Sequence, residues 1–271
     1  MTNKYLIALD LDGTLLKDDK TISLATKEYL RELEKEGHLI VITSGRALRS
    51  VLSYYNDISL TTSPVIAYNG HYSIDHNLKH YEIVHKINKN TAKSIYSSIK
   101  GKYVDSVMSE NEKKIYVDKD DAFLFAFYEK DDLEIIEGPL DETIDEDVFT
   151  FVMKIDPDEN KRNKIREVVS LHPDVQVRFW GGDDYCELYL KGASKAKTIK
   201  EVADIYGVSK DHIIVFGDAD NDIEMLRDYE HSYLMKNGNP HLKSIAHNVT
   251  KYTNEEDGIV YELKEFFKRD T

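Results

Sequence analysis

Asp10, Leu11, Asp12, Gly13 and Thr14 follow directly on the apolar run Tyr5–Leu9. Two carboxylates two residues apart, at the end of a buried strand, share a face and reach one site. Like charges at an apolar strand end repel each other and resist desolvation. A bound metal ion is the simplest offset. The Asp-x-Asp-Gly pattern also opens EF-hand calcium loops, but position twelve counted from Asp10 is Thr21, not glutamate, and the preceding segment is strand-like. That reading is rejected.

Three further clusters could join the pair. Ser44, Gly45 and Arg46 follow the apolar run Leu39–Ile42, where Ser44 brings a hydroxyl to an expected helix N-terminus. Lys195 begins an amphipathic stretch. Asp218, Asn221 and Asp222 follow the run Ile213–Phe216. Taken singly, each has a plain structural explanation: a helix cap, a surface lysine, acids in a first helical turn. Together they supply carboxylates for a hard cation, a hydroxyl and a point charge, which is the equipment of a phosphate site.

The elements that must position them alternate. Strands are expected at 5–10, 39–42 and 65–68, the last ended by the turn pair Asn69-Gly70. A helix capped by Ser23 and stopped at Gly37 lies between the first two, and another runs through Val51 and Leu52. From about residue 81 to 190 the strand candidates become polar and alternating: 114–117, 149–155 and 175–180, with helices expected at 89–100, 120–128 and 158–171. Ten acidic residues against one lysine between Glu129 and Asp147 read as a solvated loop face. The first pattern then returns, with a helix over 193–206, strands at 213–216 and 233–235, and a terminal helix over 259–267. The expectation is an α/β protein: a Rossmann-like, doubly wound parallel-sheet core from residues 1–80 and 191–271, and an inserted α+β cap over residues 81–190.

Composition narrows the partners. Thirty-six basic against 50 acidic residues, a net charge of −14, argue against nucleic acid. The same charge requires local cations at any phosphate site. A single cysteine, Cys186, precludes an intrachain disulfide. No apolar run is long enough for a membrane span or a secretory leader. A cytoplasmic protein is the expectation, with no nucleic-acid or membrane partner and with monomer or homodimer left open.

The order and spacing of the four clusters resemble the haloacid dehalogenase superfamily of phosphohydrolases, in particular the Cof-like branch with an inserted type IIB cap. Asp10–Thr14 is similar to the first motif, Thr43-Ser44-Gly45-Arg46 to the second, Gly192-Ala193-Ser194-Lys195 to the third and Gly217–Asp222 with Met225-Leu226 to the fourth. Asn69-Gly70, Met235-Lys236-Asn237 and Glu256-Asp257-Gly258 resemble further segments of that branch. Ala196 stands where glycine is frequent, and Asn239-Pro240 where small or polar residues are usual. Neither departure touches a reacting group.

The resemblance implies a Mg2+-dependent hydrolase of small phosphomonoesters, with sugar phosphates the leading class, working through an aspartyl-phosphate. Asp10 would be the nucleophile and Asp12 the proton carrier. Asp10, the backbone carbonyl of Asp12, and Asp218 would hold Mg2+, supported by Asp222. Gly13, Ser44, Gly45, Arg46, Lys195 and Asn221 would bind phosphate. For Arg46 an ion pair with a site carboxylate is an equal expectation. A hexose-phosphate phosphomutase and a non-enzymatic metabolite-binding protein are the alternatives. Specificity is expected in the cap. Asp183, Asp184 and Tyr185 read as a surface turn rather than a loop reaching the site.

Overall fold

Every side chain of Leu6–Leu9 (β1) is buried, as is every one of Leu39–Thr43 (β2) and of Val65–Ala67 (β3). Strands apolar on both faces belong inside a parallel sheet covered on both sides. The computed structural model describes residues 4–75, 81–119, 121, 133–180 and 184–269. In it β1 pairs in parallel with β2 on one side and with Ile213–Gly217 (β12) on the other, Leu6 standing opposite both Leu39 and Ile213.

The helices lie where local chemistry starts and stops them. Leu24–Lys35 (α1) is capped by Ser23, whose hydroxyl accepts from the Thr26 amide. A cap of this kind contributes about 1 kcal/mol. The chain leaves α1 through Gly37, at φ +100°. Leu48–Ile58 (α2) starts after Ala47, not at Ser44 as expected from the sequence. The Ser44–Arg46 segment is held instead as a turn against the 68–69 turn: Tyr68 N–H donates to the Arg46 carbonyl and Asn69 N–H to that of Ser44. Lys195–Tyr206 (α6) is capped by Ser194 and ended by Gly207 in the left-handed conformation. Ile223–Asp228 (α7) follows β12, and Gly258–Arg269 (α8) ends the described chain.

The first sheet runs β14-β13-β12-β1-β2-β3-β4-β5, where β13 is His231–Leu234 and β14 Asn248–Val249. It is parallel from β14 to β3. The strands Tyr72–Ile74 (β4) and Glu82–Val84 (β5), which the sequence reading passed over, add an antiparallel edge. Ala196, Ile199, Val202 and Ala203 of α6, with Met225 of α7, pack on one face of this sheet against Leu6, Ala8, Val41, Ile66 and Val215. Helix α1 contacts α2 and α8.

The chain divides into two compact units, one ending at Val84 and resuming at Ala193, the other spanning His85–Gly192. The inserted unit has a sheet ordered β10-β11-β9-β6-β7-β8. Its strands are Val104–Glu110 (β6), Lys114–Val117 (β7), Glu134–Glu137 (β8), Thr150–Ile155 (β9), Val175–Phe179 (β10) and Tyr185–Leu190 (β11). Lys89–Ile99 (α3) and Glu159–Ser170 (α5) cover one face, burying Ile95, Tyr96 and Ile165 against Val107, Phe151, Met153 and Cys186.

Two readings of this region are corrected. The acidic stretch contains β8, parallel to β7, and a single helical turn, Leu140–Thr143 (α4), whose Leu140 is fully buried. Tyr185 is not in a turn: it opens β11, and the Asp184 carbonyl accepts from the Ile155 amide. The expected helix over 120–128 and Asp183 lie outside the described residues.

Candidate active site

The C-terminal ends of β1 and β12 are neighbours, so the residues that follow them meet. Asp10 donates its amide to the Phe216 carbonyl at 3.1 Å. Asp10 is 5 % exposed, and its carboxylate accepts from the Lys195 ammonium at 2.5 Å. Lys195, 1 % exposed at the start of α6, also pairs with Asp222 at 2.7 Å. Asp222 spends its second oxygen on the amides of Asp218 (2.9 Å) and Ala219 (3.2 Å), which fixes the turn after β12. Lys195, expected from the sequence to bind phosphate, here pairs with two carboxylates, and Asp222 organises the Asp218 turn.

Gly13 is required by the same turn. It sits at φ +76°, and a Cβ there would lie 2.3 Å from Asp218 Oδ2. Only a residue without a side chain lets the loop after β1 lie flat on Asp218.

One carboxylate oxygen from each of Asp10, Asp218 and Asp222 lies within 4.8 Å of the others. Asp218 Oδ1 is buried with no hydrogen-bond partner among the described residues. Burial raises the Asp10 pKa well above the usual carboxylate range. Lys195 opposes the shift, while Asp222 and Asp218 add to it. Asp218 is pushed up to about 7, by burial first and then by the charge of Asp222. Burial works against the Lys195 ammonium, yet Asp10 and Asp222 beside it prevail and raise its pKa. Oxygen ligands, excess negative charge and an unsatisfied buried oxygen fit a hard divalent cation.

These shifts carry a pH prediction. A carboxyl with a raised folded-state pKa is neutral below that value and must lose its proton to become a ligand. Divalent-metal affinity should therefore rise with pH across about 6 to 9, with proton release on binding. In the metal-free protein the sign for stability is the reverse. Raised carboxyl pKa values favour folding at low pH, and that contribution is lost as pH rises through the folded-state pKa, near 7 for Asp218. Calorimetric Mg2+ titrations in buffers of different ionisation heat test this. A pH-independent affinity with no proton release would refute it.

Asp12 faces elsewhere. Its carboxylate accepts from Arg46 Nε and Nη2, both at 2.7 Å, and from Lys20 Nζ at 2.8 Å. Burial pulls its pKa upward, but the bonds from Arg46 and Lys20 win and lower it to about 2. Of the two expectations for Arg46, the structure displays the ion pair, with the guanidinium also donating to Ser50 Oγ and lying 5.5 Å from the Tyr54 ring centroid. Lys20, at φ +65°, had not been singled out from the sequence. Its signal was only its place in the loop after the first motif.

Ser44 is buried at the end of β2, its hydroxyl accepting from the Arg46 amide at 3.2 Å. Gly45 packs against Asn69, where a Cβ would stand 3.0 Å from Asn69 Oδ1. The same oxygen accepts from Asn221 Nδ2 at 3.0 Å. Asn69 therefore links the second and fourth clusters, a role its turn-forming Asn-Gly signature did not announce.

Comparisons with known proteins identify the family. The family model for haloacid dehalogenase-like hydrolases matches residues 7–263. The chain is 36 % identical to 5-amino-6-(5-phospho-D-ribitylamino)uracil phosphatase YitU of Bacillus subtilis (strain 168), over 98 % of either chain. Among solved structures, TM0651 from Thermotoga maritima superposes with a TM-score of 0.82 at 26 % identity, covering 97 % of both chains. The subclass IIB sugar phosphatase BT4131 does so with 0.79 at 25 %, covering 97 % of this chain and 99 % of the other. The chain belongs to the haloacid dehalogenase-like hydrolases, and within them to the Cof-type phosphatases with an inserted IIB cap.

Proposed function

We propose that this enzyme is a Mg2+-dependent phosphomonoesterase that acts on small phosphorylated metabolites through an aspartyl-phosphate. The observation that carries the reading is the buried group Asp10–Lys195–Asp222 with Asp218, at the ends of two adjacent parallel strands.

Asp10 and Asp218 would hold the ion, with the Asp12 carbonyl as third protein ligand and Asp222 behind them. Bound there, Mg2+ supplies positive charge that lowers the repulsion between a phosphate dianion and a carboxylate. In the first half-reaction an oxygen of Asp10 attacks phosphorus. The bond from phosphorus to the leaving oxygen breaks, and Asp12 gives that oxygen a proton. In the second, Asp12 takes a proton from the attacking water, the Asp10–phosphorus bond breaks and inorganic phosphate leaves. Asp12 paired with Arg46 and Lys20 is ionised, the state that accepts the water's proton. To serve the first half-reaction it must part from them. Lys195 screens Asp10 from the incoming anion, and Ser44, Asn221 and the Gly13 amide are the donors for phosphoryl oxygens.

The relatives support a narrower substrate class. YitU is named for a phosphoribityl compound and BT4131 as a sugar phosphatase. A phosphorylated, polyhydroxylated carbon chain is accordingly the proposed substrate. The buried free thiol of Cys186 fits the proposed cytoplasmic setting.

The test is phosphate release from a panel of sugar, polyol and nucleotide monoesters, with Mg2+ and with a chelator. Hydrolysis is expected only with the metal and best on the polyol and sugar esters. No turnover of any ester in Mg2+ would defeat the proposal.

A further inference from the structure

Met235, Lys236 and Asn237 resemble a further segment of the Cof-like branch and take no part in the proposed mechanism. After β13 the chain turns back over the candidate site. Met235 N–H donates to the Gly217 carbonyl at 2.9 Å and Asn239 N–H to the Asp218 carbonyl at 2.8 Å. Between them Gly238 lies on Asp218 so closely that a Cβ would stand 3.0 Å from the Asp218 Cα and 2.7 Å from Leu234 Cδ1. This turn therefore fixes the backbone of Asp218 from behind.

The Asn237 side chain of this turn reaches the loop after β1. Asn237 Nδ2 donates to the Gly13 carbonyl at 2.7 Å, and Asn237 Oδ1 accepts from the Asn254 amide at 3.0 Å. Asn254, 7 % exposed, sends its own Nδ2 to the Leu16 carbonyl at 2.9 Å. Both ends of the Asn237 amide are thus committed, although the residue lies at the surface. The Gly13–Thr14 peptide is the one whose orientation decides how the loop lies on Asp218, because Gly13 is in left-handed conformation and in contact with that carboxylate.

We infer that Asn237, backed by Asn254, is a positioning residue that locks the Asp10–Thr14 loop and the Asp218 turn into one register, so that the two carboxylate-bearing segments meet a cation without reorganisation. The inference rests on the proposed metal-dependent reading of the same site. Outer-shell partners of metal ligands typically change metal affinity or activity 10- to 100-fold when removed. Preorganisation, not contact with substrate, is what Asn237 supplies.

Two variants separate the possibilities. Asn237→Ala removes both bonds. Asn237→Asp keeps an acceptor for the Asn254 amide but sets a carboxylate oxygen against the Gly13 carbonyl. Three quantities are read on each: Mg2+ affinity by calorimetry, kcat and KM on p-nitrophenyl phosphate, and amide hydrogen exchange over residues 11–16. Both variants are expected to weaken Mg2+ binding and lower kcat by about 10- to 100-fold. KM should change less than about threefold, and exchange at 11–16 should quicken selectively. Asn237→Gln, with the same amide on a longer arm, is expected to recover part of each loss. Wild-type exchange at 11–16 in Asn237→Ala overturns the inference, whatever the activity. So does faster exchange with Mg2+ affinity and kcat unchanged. A wild-type enzyme that neither binds Mg2+ nor hydrolyses the ester defeats the functional reading, and the exchange measurement still decides whether Asn237 holds the loop.

Discussion

Replacing Asp10 with asparagine is expected to lower kcat on any phosphomonoester by at least about 10⁴-fold, the scale on which enzymes lose rate with their nucleophile. Stability should move the other way. Asp10 is buried beside Asp222 and Asp218, and its raised pKa means that the ionised form is disfavoured where it stands. An amide of the same shape removes one of three crowded carboxyls, while Lys195 keeps Asp222 at 2.7 Å. The metal-free variant should therefore melt at or above the wild-type temperature, so that lost activity cannot be put down to lost folding. Steady-state hydrolysis with calorimetric melting checks both halves. Equal turnover by variant and wild type would rule out Asp10 as nucleophile.

Lys195→Met is expected to have the opposite stability signature. The ammonium is almost wholly buried between two carboxylates. Removing one partner from a buried ionic group strands the others, at a cost of about 3–5 kcal/mol. At roughly 2–4 °C per kcal/mol for a chain of this size, melting should fall by about 6–20 °C. Because the stranded charges are anionic, a divalent cation should restore more stability to this variant than to the wild type. Turnover should still be down by about 10²- to 10³-fold, since the ion cannot replace the ammonium proposed to screen Asp10 from the incoming phosphate. Melting curves with and without Mg2+ settle it: a variant as stable as the wild type without metal would contradict the assignment.

Much of this was legible in the sequence where local signals and burial agree. Ser23 caps α1, and the fully apolar runs that form β1, β2 and β12 could hardly be anything but interior strands. The clusters at Asp10, Ser44 and Asp218 were placed at strand ends by the same logic, and Lys195, at a helix start, brings the carboxylates of Asp10 and Asp222 together. What escaped was what depends on a partner. Strand β11 reads Tyr-Cys-Glu-Leu-Tyr-Leu. Its buried Glu187 makes sense only once Arg178 is found 2.6 Å away and Thr150 at 3.3 Å. Strand β8 hides in an acidic stretch because an edge strand needs little apolar content, and Ile136 is the side chain it packs on the core of the inserted unit. The turn at Ser44 displaced an expected helix start because its bonds come from Tyr68 and Asn69, more than 20 residues on. Arg46 could be assigned to the site from the sequence, but its choice of Asp12 could not, since that depends on how two loops face each other.

The pairing of β1 with β12 has a consequence for biosynthesis. Leu6–Leu9 is synthesised before either of its neighbours; β2 follows it closely on one side, and the other side waits for Ile213. Through all the time in which the inserted unit is made, one edge of the strand that ends at Asp10 lacks its native partner. The inserted unit, continuous in sequence from His85 to Gly192, can complete its own sheet in that interval. The amide of Asp10 acquires its acceptor only with Phe216, so the carboxylate cluster around Asp10 cannot be completed until the whole insert has been made.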